Sequence, residues 1–134
     1  MSKTRTITLT NRPPVRITEE RWPIIAEAVD EQYDNEFRFQ ANRTSDWWIR
    51  VRQHEDGRTL VYAGYDYGTN WQGERGLRAR QGQLMSSATS EDLVEAIRRV
   101  CHDISQCEHA AGDDERWDTL RNECIASLPA EVID

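Results

Sequence analysis

The chain has 134 residues, with 17 basic and 24 acidic side chains and a net charge of −7, a length that sets the expectation of one domain spanning 1–134. Its five Trp, four Tyr and two Phe exclude a collagen-like chain and argue against full disorder, because disordered chains are poor in aromatics. No apolar run approaches the roughly 20 residues that a bilayer-spanning helix needs, Met1 to Arg5 leads into no apolar signal region, and an odd count of three Cys points to reduced thiols in a cytoplasmic protein away from membranes.

Thr4 to Thr10 predicts a strand, ended by Asn11-Arg12-Pro13-Pro14. Thr18-Glu19-Glu20 reads as a helix start, with a hydroxyl cap and acids in the first turn. Trp22, Ile25, Ala26, Val29 and Tyr33 follow at helical spacing, and Pro23 moves the start of that helix toward Arg21. Glu36 to Asn42 alternates Phe37, Phe39 and Ala41 with polar residues, a half-buried strand. Asp46 to His54 is the next strand, with Trp47, Ile49 and Val51 on one face and Trp48, Arg50, Arg52 and His54 on the other.

Asp56-Gly57 is a strong hairpin signal, and Arg58 to Tyr67 is the returning strand. A two-residue turn at that dipeptide sets Val51 opposite Tyr62 and Trp48 opposite Tyr65. Gly68 to Gly76 is a loop around Trp71. Trp71 either folds back as a plug or stands out as an anchor for a partner, and the plug is favoured because an exposed Trp is a solubility hazard. Leu77 to Gln81 is a further edge strand. Ser90 caps a helix reaching about Gln106 on Leu93, Ile97, Val100, Cys101 and Ile104. Gly112 breaks it, and Asp113 to Leu128 forms a last helix on Trp117, Leu120, Cys124 and Leu128, stopped by Pro129. The sum is an α+β fold of order β-α-β-β-β-α-α: a single antiparallel sheet, a meander plus the N-terminal strand, covered by three helices.

Chemistry-bearing motifs are sparse. Cys101, His102, Cys107 and His109 cluster in sequence, but structural zinc sites favour Cys pairs two to four residues apart, and Cys101 falls on the apolar stripe. The expectation is no metal and no cofactor. The chain has no nucleophile elbow, no phosphate-binding glycine loop and no HExxH, so no catalytic residue is assigned and the chain is read as non-enzymatic. The charge is uneven: residues 1–16 carry +4, 17–36 carry −6, 37–83 carry +3 and 84–134 carry −8. The candidate binding residues therefore lie in the basic sheet region: Trp48, Arg50 and Arg52 on one strand face, with Tyr65 and Tyr67 across the hairpin, extended by Arg75, Arg78 and Arg80 of the loop and edge strand. Trp and Arg dominate protein–protein hot spots, and the same pair serves single-stranded nucleic acids, so both partners stay open; a pI near 5.0 weighs toward protein.

Five segments carry a resemblance: Thr6 to Pro14, Trp22-Pro23-Ile24-Ile25-Ala26, Val51 to His54 with Asp56-Gly57-Arg58, Trp71 to Gly76, and Cys124 to Glu131. In these the chain resembles short accessory proteins of prophages and integrative elements. The resemblance implies a protein partner, a host defence complex such as CRISPR–Cas or a restriction system, blocked in the manner of an anti-CRISPR inhibitor. The acidic helices would then supply a field complementary to a partner that expects phosphates. Nucleic-acid binding by the Arg/Trp face is the alternative.

Overall fold

The computed structural model describes residues 3–36, 41–70, 73–107 and 109–130. Among the described residues six strands and two α-helices follow one another: β1 (Thr4–Ile7), β2 (Val15–Thr18), β3 (Ile24–Glu36), β4 (Ala41–Gln53), β5 (Thr59–Thr69), β6 (Leu77–Met85), α1 (Ser90–Ser105) and α2 (Asp114–Ala126). The class is α+β. The strands form two antiparallel sheets, a β1-β2 ribbon and a four-stranded β3-β4-β5-β6 meander, rather than one sheet.

The third helix expected from the sequence is absent. Glu19–Arg21 makes a single 3-10 turn, and Ile24–Glu36 is a strand paired with β4 over its whole length. Pro23 lacks the amide a continuing helix requires. Beyond it the pattern that wins has period two: Ala26 and Ala28 are buried while Glu27, Val29 and Glu31 face outward. The strand read at Glu36 to Asn42 spans the end of β3 and the start of β4, and Phe37 to Gln40 lie outside the described residues, as does Trp71.

The Asp56-Gly57 signal does make a hairpin, with a longer turn. The Gly57 amide donates to the His54 carbonyl and the His54 amide to the Arg58 carbonyl, both at 2.9 Å, and Gly57 takes a positive φ, of 95°. That is a four-residue turn from His54 to Gly57 closed by a left-handed glycine. Its extra residue pairs Val51 with Val61 and Trp48 with Gly64, one place from the expected register. Tyr65 consequently falls on the Trp47 side and Tyr62 on the Trp48 side.

One sheet face is covered by the helices. Trp47, Ile49, Val51, Val61, Ala63 and Tyr65 meet Ile97, Val100 and Ile104 of α1 and Trp117, Leu120 and Cys124 of α2. Leu128, expected on the same stripe, is half-buried beyond the helix end. The cap of α1 is Thr89, not Ser90: its side chain accepts from the Asp92 amide while the Asp92 carboxylate accepts from the Thr89 amide. Asp113 caps α2.

The β1-β2 ribbon covers half of the opposite face, burying Ile7, Leu9, Ile17 and Trp22 against Leu60 and Tyr62. Side chains close parts of both edges of the meander. The Asn11 carboxamide donates to the Gly82 carbonyl (2.9 Å) and accepts from the Gly82 amide (3.1 Å). The Ser127 hydroxyl accepts from the Glu27 amide (3.1 Å) and lies 3.3 Å from the Glu27 carbonyl. No helix among the described residues is long and apolar enough to cross a membrane.

Candidate functional site

Where the ribbon stops, the uncovered half of the sheet forms a cleft of about 410 Å³ walled by β1, lined by Arg5, Thr6, Thr8, Trp48, Arg50, Asp66, Arg78 and Arg80 among others. Alternation along the strands places them. Register sets Val29, Trp48, Gly64 and Arg80 in one row across the sheet, and Glu31, Asp46, Asp66 and Arg78 in the next.

Trp48 organises the cleft. It stands opposite Gly64, which has no side chain, and its indole lies down over that gap: a Cβ on Gly64 would sit 2.2 Å from the ring. The indole also meets Tyr62 edge-on at 5.5 Å. The guanidinium carbons of Arg50 and Arg80 stand 4.7 and 5.1 Å from the ring centre, within cation–π range. The ring therefore orders two cations over the sheet.

Each arginine also has an internal carboxylate. Arg50 Nε donates to Glu27 Oε2 at 3.1 Å, and Arg5 pairs with Glu19. Arg80 Nη2 donates to both oxygens of Asp66, at 2.8 and 2.9 Å, and its Nη1 donates to the carbonyls of Ala79 and Tyr65. Arg78 Nε stands 3.4 Å from Asp66 Oδ1 with its side chain 73% exposed.

Of the residues singled out in the sequence, Trp48, Arg50, Arg78 and Arg80 share this cleft. Arg52 does not. The ribbon buries it to 6% exposure, where it donates to the Tyr62 hydroxyl (2.8 Å) and the Trp22 carbonyl (3.0 Å). Arg52 is thus a structural donor, and Arg52→Ala should lower stability by about 1–3 kcal/mol by leaving both acceptors buried and unpaired; urea midpoints would show it. Arg75 is exposed in the connection before β6 and outside the cleft. Tyr65 points into the helix-covered core. Arg5 and Asp66 join the site without having been singled out.

Tyr67 belongs to a neighbouring cluster that ties the connection before β6 to the sheet. Its hydroxyl donates to Glu74 Oε2 at 2.5 Å, and Arg43 donates to Glu74 Oε1 at 2.7–2.8 Å. Hydrogen bonds from Arg43 and then Tyr67 hold the Glu74 carboxyl below its ordinary 4.5, while the bond to Glu74 pushes the Tyr67 phenol up. A carboxyl depressed in the folded state contributes stability above its unfolded value, and loses it as pH falls through the folded one. Melting followed downward from about pH 6 to pH 3 should therefore show a shallower acid limb in Glu74→Gln than in the parent.

The described members of the Cys/His cluster are Cys101, His102 and Cys107; the side chain of His109 lies outside the described residues. Cys101 and Cys124 are buried free thiols, each pushed up to about 12 by burial, and hence protonated at neutral pH. Cys107 instead accepts from Gln81 at 3.6 Å, and His102 is exposed. Among the described residues no group of three His, Cys, Asp or Glu could hold a metal ion. Comparison with protein-family models, with curated proteins and with solved structures gave no match to the chain.

Proposed function

We propose that the chain is a non-enzymatic binding protein that docks on an anionic surface of a protein partner through the Trp48, Arg50, Arg78 and Arg80 cleft. The observation that carries this is the gathering of Arg5, Arg50, Arg78 and Arg80 with Trp48 in one cleft on the half of the sheet face that the ribbon leaves uncovered, in a chain whose net charge is −7. Trp and Arg at the centre of a patch are the residue types that dominate binding energy. The resemblance to mobile-element accessory proteins makes a bacterial defence complex, CRISPR–Cas or restriction, the partner of choice, with inhibition as the consequence of docking.

Nucleic acid fits the same cleft less well. Stacking of bases needs an open aromatic face, whereas Trp48 lies on Gly64 with Arg50 and Arg80 at its ring. Purified defence complexes offered to tagged wild type and to Arg78→Glu test the proposal. Capture by wild type and at least roughly tenfold weaker capture by Arg78→Glu is the expected result. Capture that ignores Arg78→Glu overturns the assignment of the cleft. Gel shifts of single- and double-stranded probes at low salt should show no complex. A shift whose salt slope flattens in Arg50→Ala with Arg78→Ala would hand the cleft to nucleic acid.

A further inference from the structure

We infer that Asp66 holds the place of a ligand carboxylate, and that the groove around it receives an extended acidic segment of the partner; this rests on the protein-binding reading above. Arg78 and Arg80 converge on this one carboxylate from β6, at 3.4 and 2.8 Å. Its side chain is 36% exposed, on the open sheet face and within reach of solvent. Arg78, 73% exposed, exchanges this internal acceptor for an external one at small cost, because exposed ion pairs are weak, while Arg80, 15% exposed and held by both Asp66 oxygens, fixes where the ligand carboxylate must sit.

Shape supports a linear ligand. The 410 Å³ cleft is continued by a second hollow of about 420 Å³ over Thr44, Gly68 and Gly76, and the two share Asp66 and Arg78. The joined groove follows β5 from Tyr62 to Gly68, about 20 Å at the rise of a strand and room for six extended residues. The first hollow is lined by four arginines and the carboxylate of Asp66; Glu19 and Glu27 pair with Arg5 and Arg50, so the cationic excess lies where Arg78 and Arg80 share Asp66 alone, and an acidic segment is the complementary occupant there.

The internal carboxylate yields a signature that general charge attraction at a distance does not. Removing the Asp66 charge leaves Arg78 and the Nη2 of Arg80 without their internal acceptor. Fluorescence anisotropy would compare a fluorescein-labelled peptide of alternating Glu and Val with its Lys–Val counterpart and with an oligothymidylate of equal length, at low salt. The Glu–Val peptide should bind wild type, tighten about threefold in Asp66→Asn, and weaken roughly fivefold in Arg78→Ala. The exposure of Arg78 makes that second variant independent of folding. Failure of the Glu–Val peptide to bind either wild type or Asp66→Asn overturns the inference, as does equal binding of the Lys–Val peptide or tighter binding of the oligothymidylate. Should the peptide fail while capture of a defence complex still depends on Arg78, the protein-binding reading stands and only the extended acidic ligand falls.

Discussion

Replacing Trp117 by alanine will lower stability by about 3–5 kcal/mol, the range for a large buried aromatic. Trp117 is 1% exposed in the layer between the helices and the sheet, and its indole N–H donates to the Ala111 carbonyl at 2.5 Å. The substitution empties the largest fully buried side chain of the core and strands that carbonyl. At very roughly 3–5 °C per kcal/mol for a chain of this size, melting should fall by about 10–20 °C. Urea midpoints measure the change directly, and a loss under about 1 kcal/mol would mean that α2 is not held to the sheet by this residue.

A smaller chemical change, Gly64→Ala, should disable the cleft. The added Cβ would sit 2.2, 2.5 and 2.8 Å from the Cζ2, Cε2 and Cη2 atoms of Trp48, which are parts of a rigid ring and cannot bend aside. The indole must lift, at an overpacking cost of about 1–3 kcal/mol, and Arg50 and Arg80 then lose their support. Partner affinity should fall by roughly tenfold, with indole fluorescence shifted to the red as Trp48 meets water. A double variant, Trp48→Ala with Gly64→Ala, isolates the clash. Its loss of stability should be smaller than the sum of the two single losses, since the second substitution no longer meets a ring. Strict additivity would show that the two residues do not touch.

These positions show where the sequence was legible. Both α-helices followed from apolar spacing, and the buried Leu93, Ile97, Val100, Cys101 and Ile104 are the stripe read on α1. The region of β3 misled because Trp22, Ile25, Ala26, Val29 and Tyr33 fit a helical period while Ala26 and Ala28 fit a strand. Pairing with the thirteen residues of β4, a long-range event, decided between them. The hairpin was legible as a hairpin, yet one additional turn residue moved its register, and a one-residue slip exchanges faces. In the expected register Asp66 would have shared the face of Trp47. In the observed one it lies opposite Asp46 on the open face, beside Arg78 and Arg80, and so the slip hid the carboxylate of the site. Arg52 looked equivalent to Arg50 because strand alternation puts them together. The difference is the ribbon laid over one and not the other, a tertiary contact with no signal in local spacing.

The amide that Asn11 extends to Gly82 has a colloidal consequence. A strand docked on the rim of a sheet offers its own far side to the next chain, so growth can repeat, whereas the Asn11 carboxamide, beside one backbone bond from the Thr10 amide to the Arg80 carbonyl, satisfies the rim at Gly82 and presents nothing for another backbone to continue from. The same residue anchors the ribbon that walls the cleft. Detachment of the ribbon would therefore uncover Leu60, Tyr62 and the β6 rim at once, turning loss of ligand recognition and the onset of polymerisation into a single event. In Asn11→Ala the two should appear together, as light scattering that rises at the temperature where binding is lost.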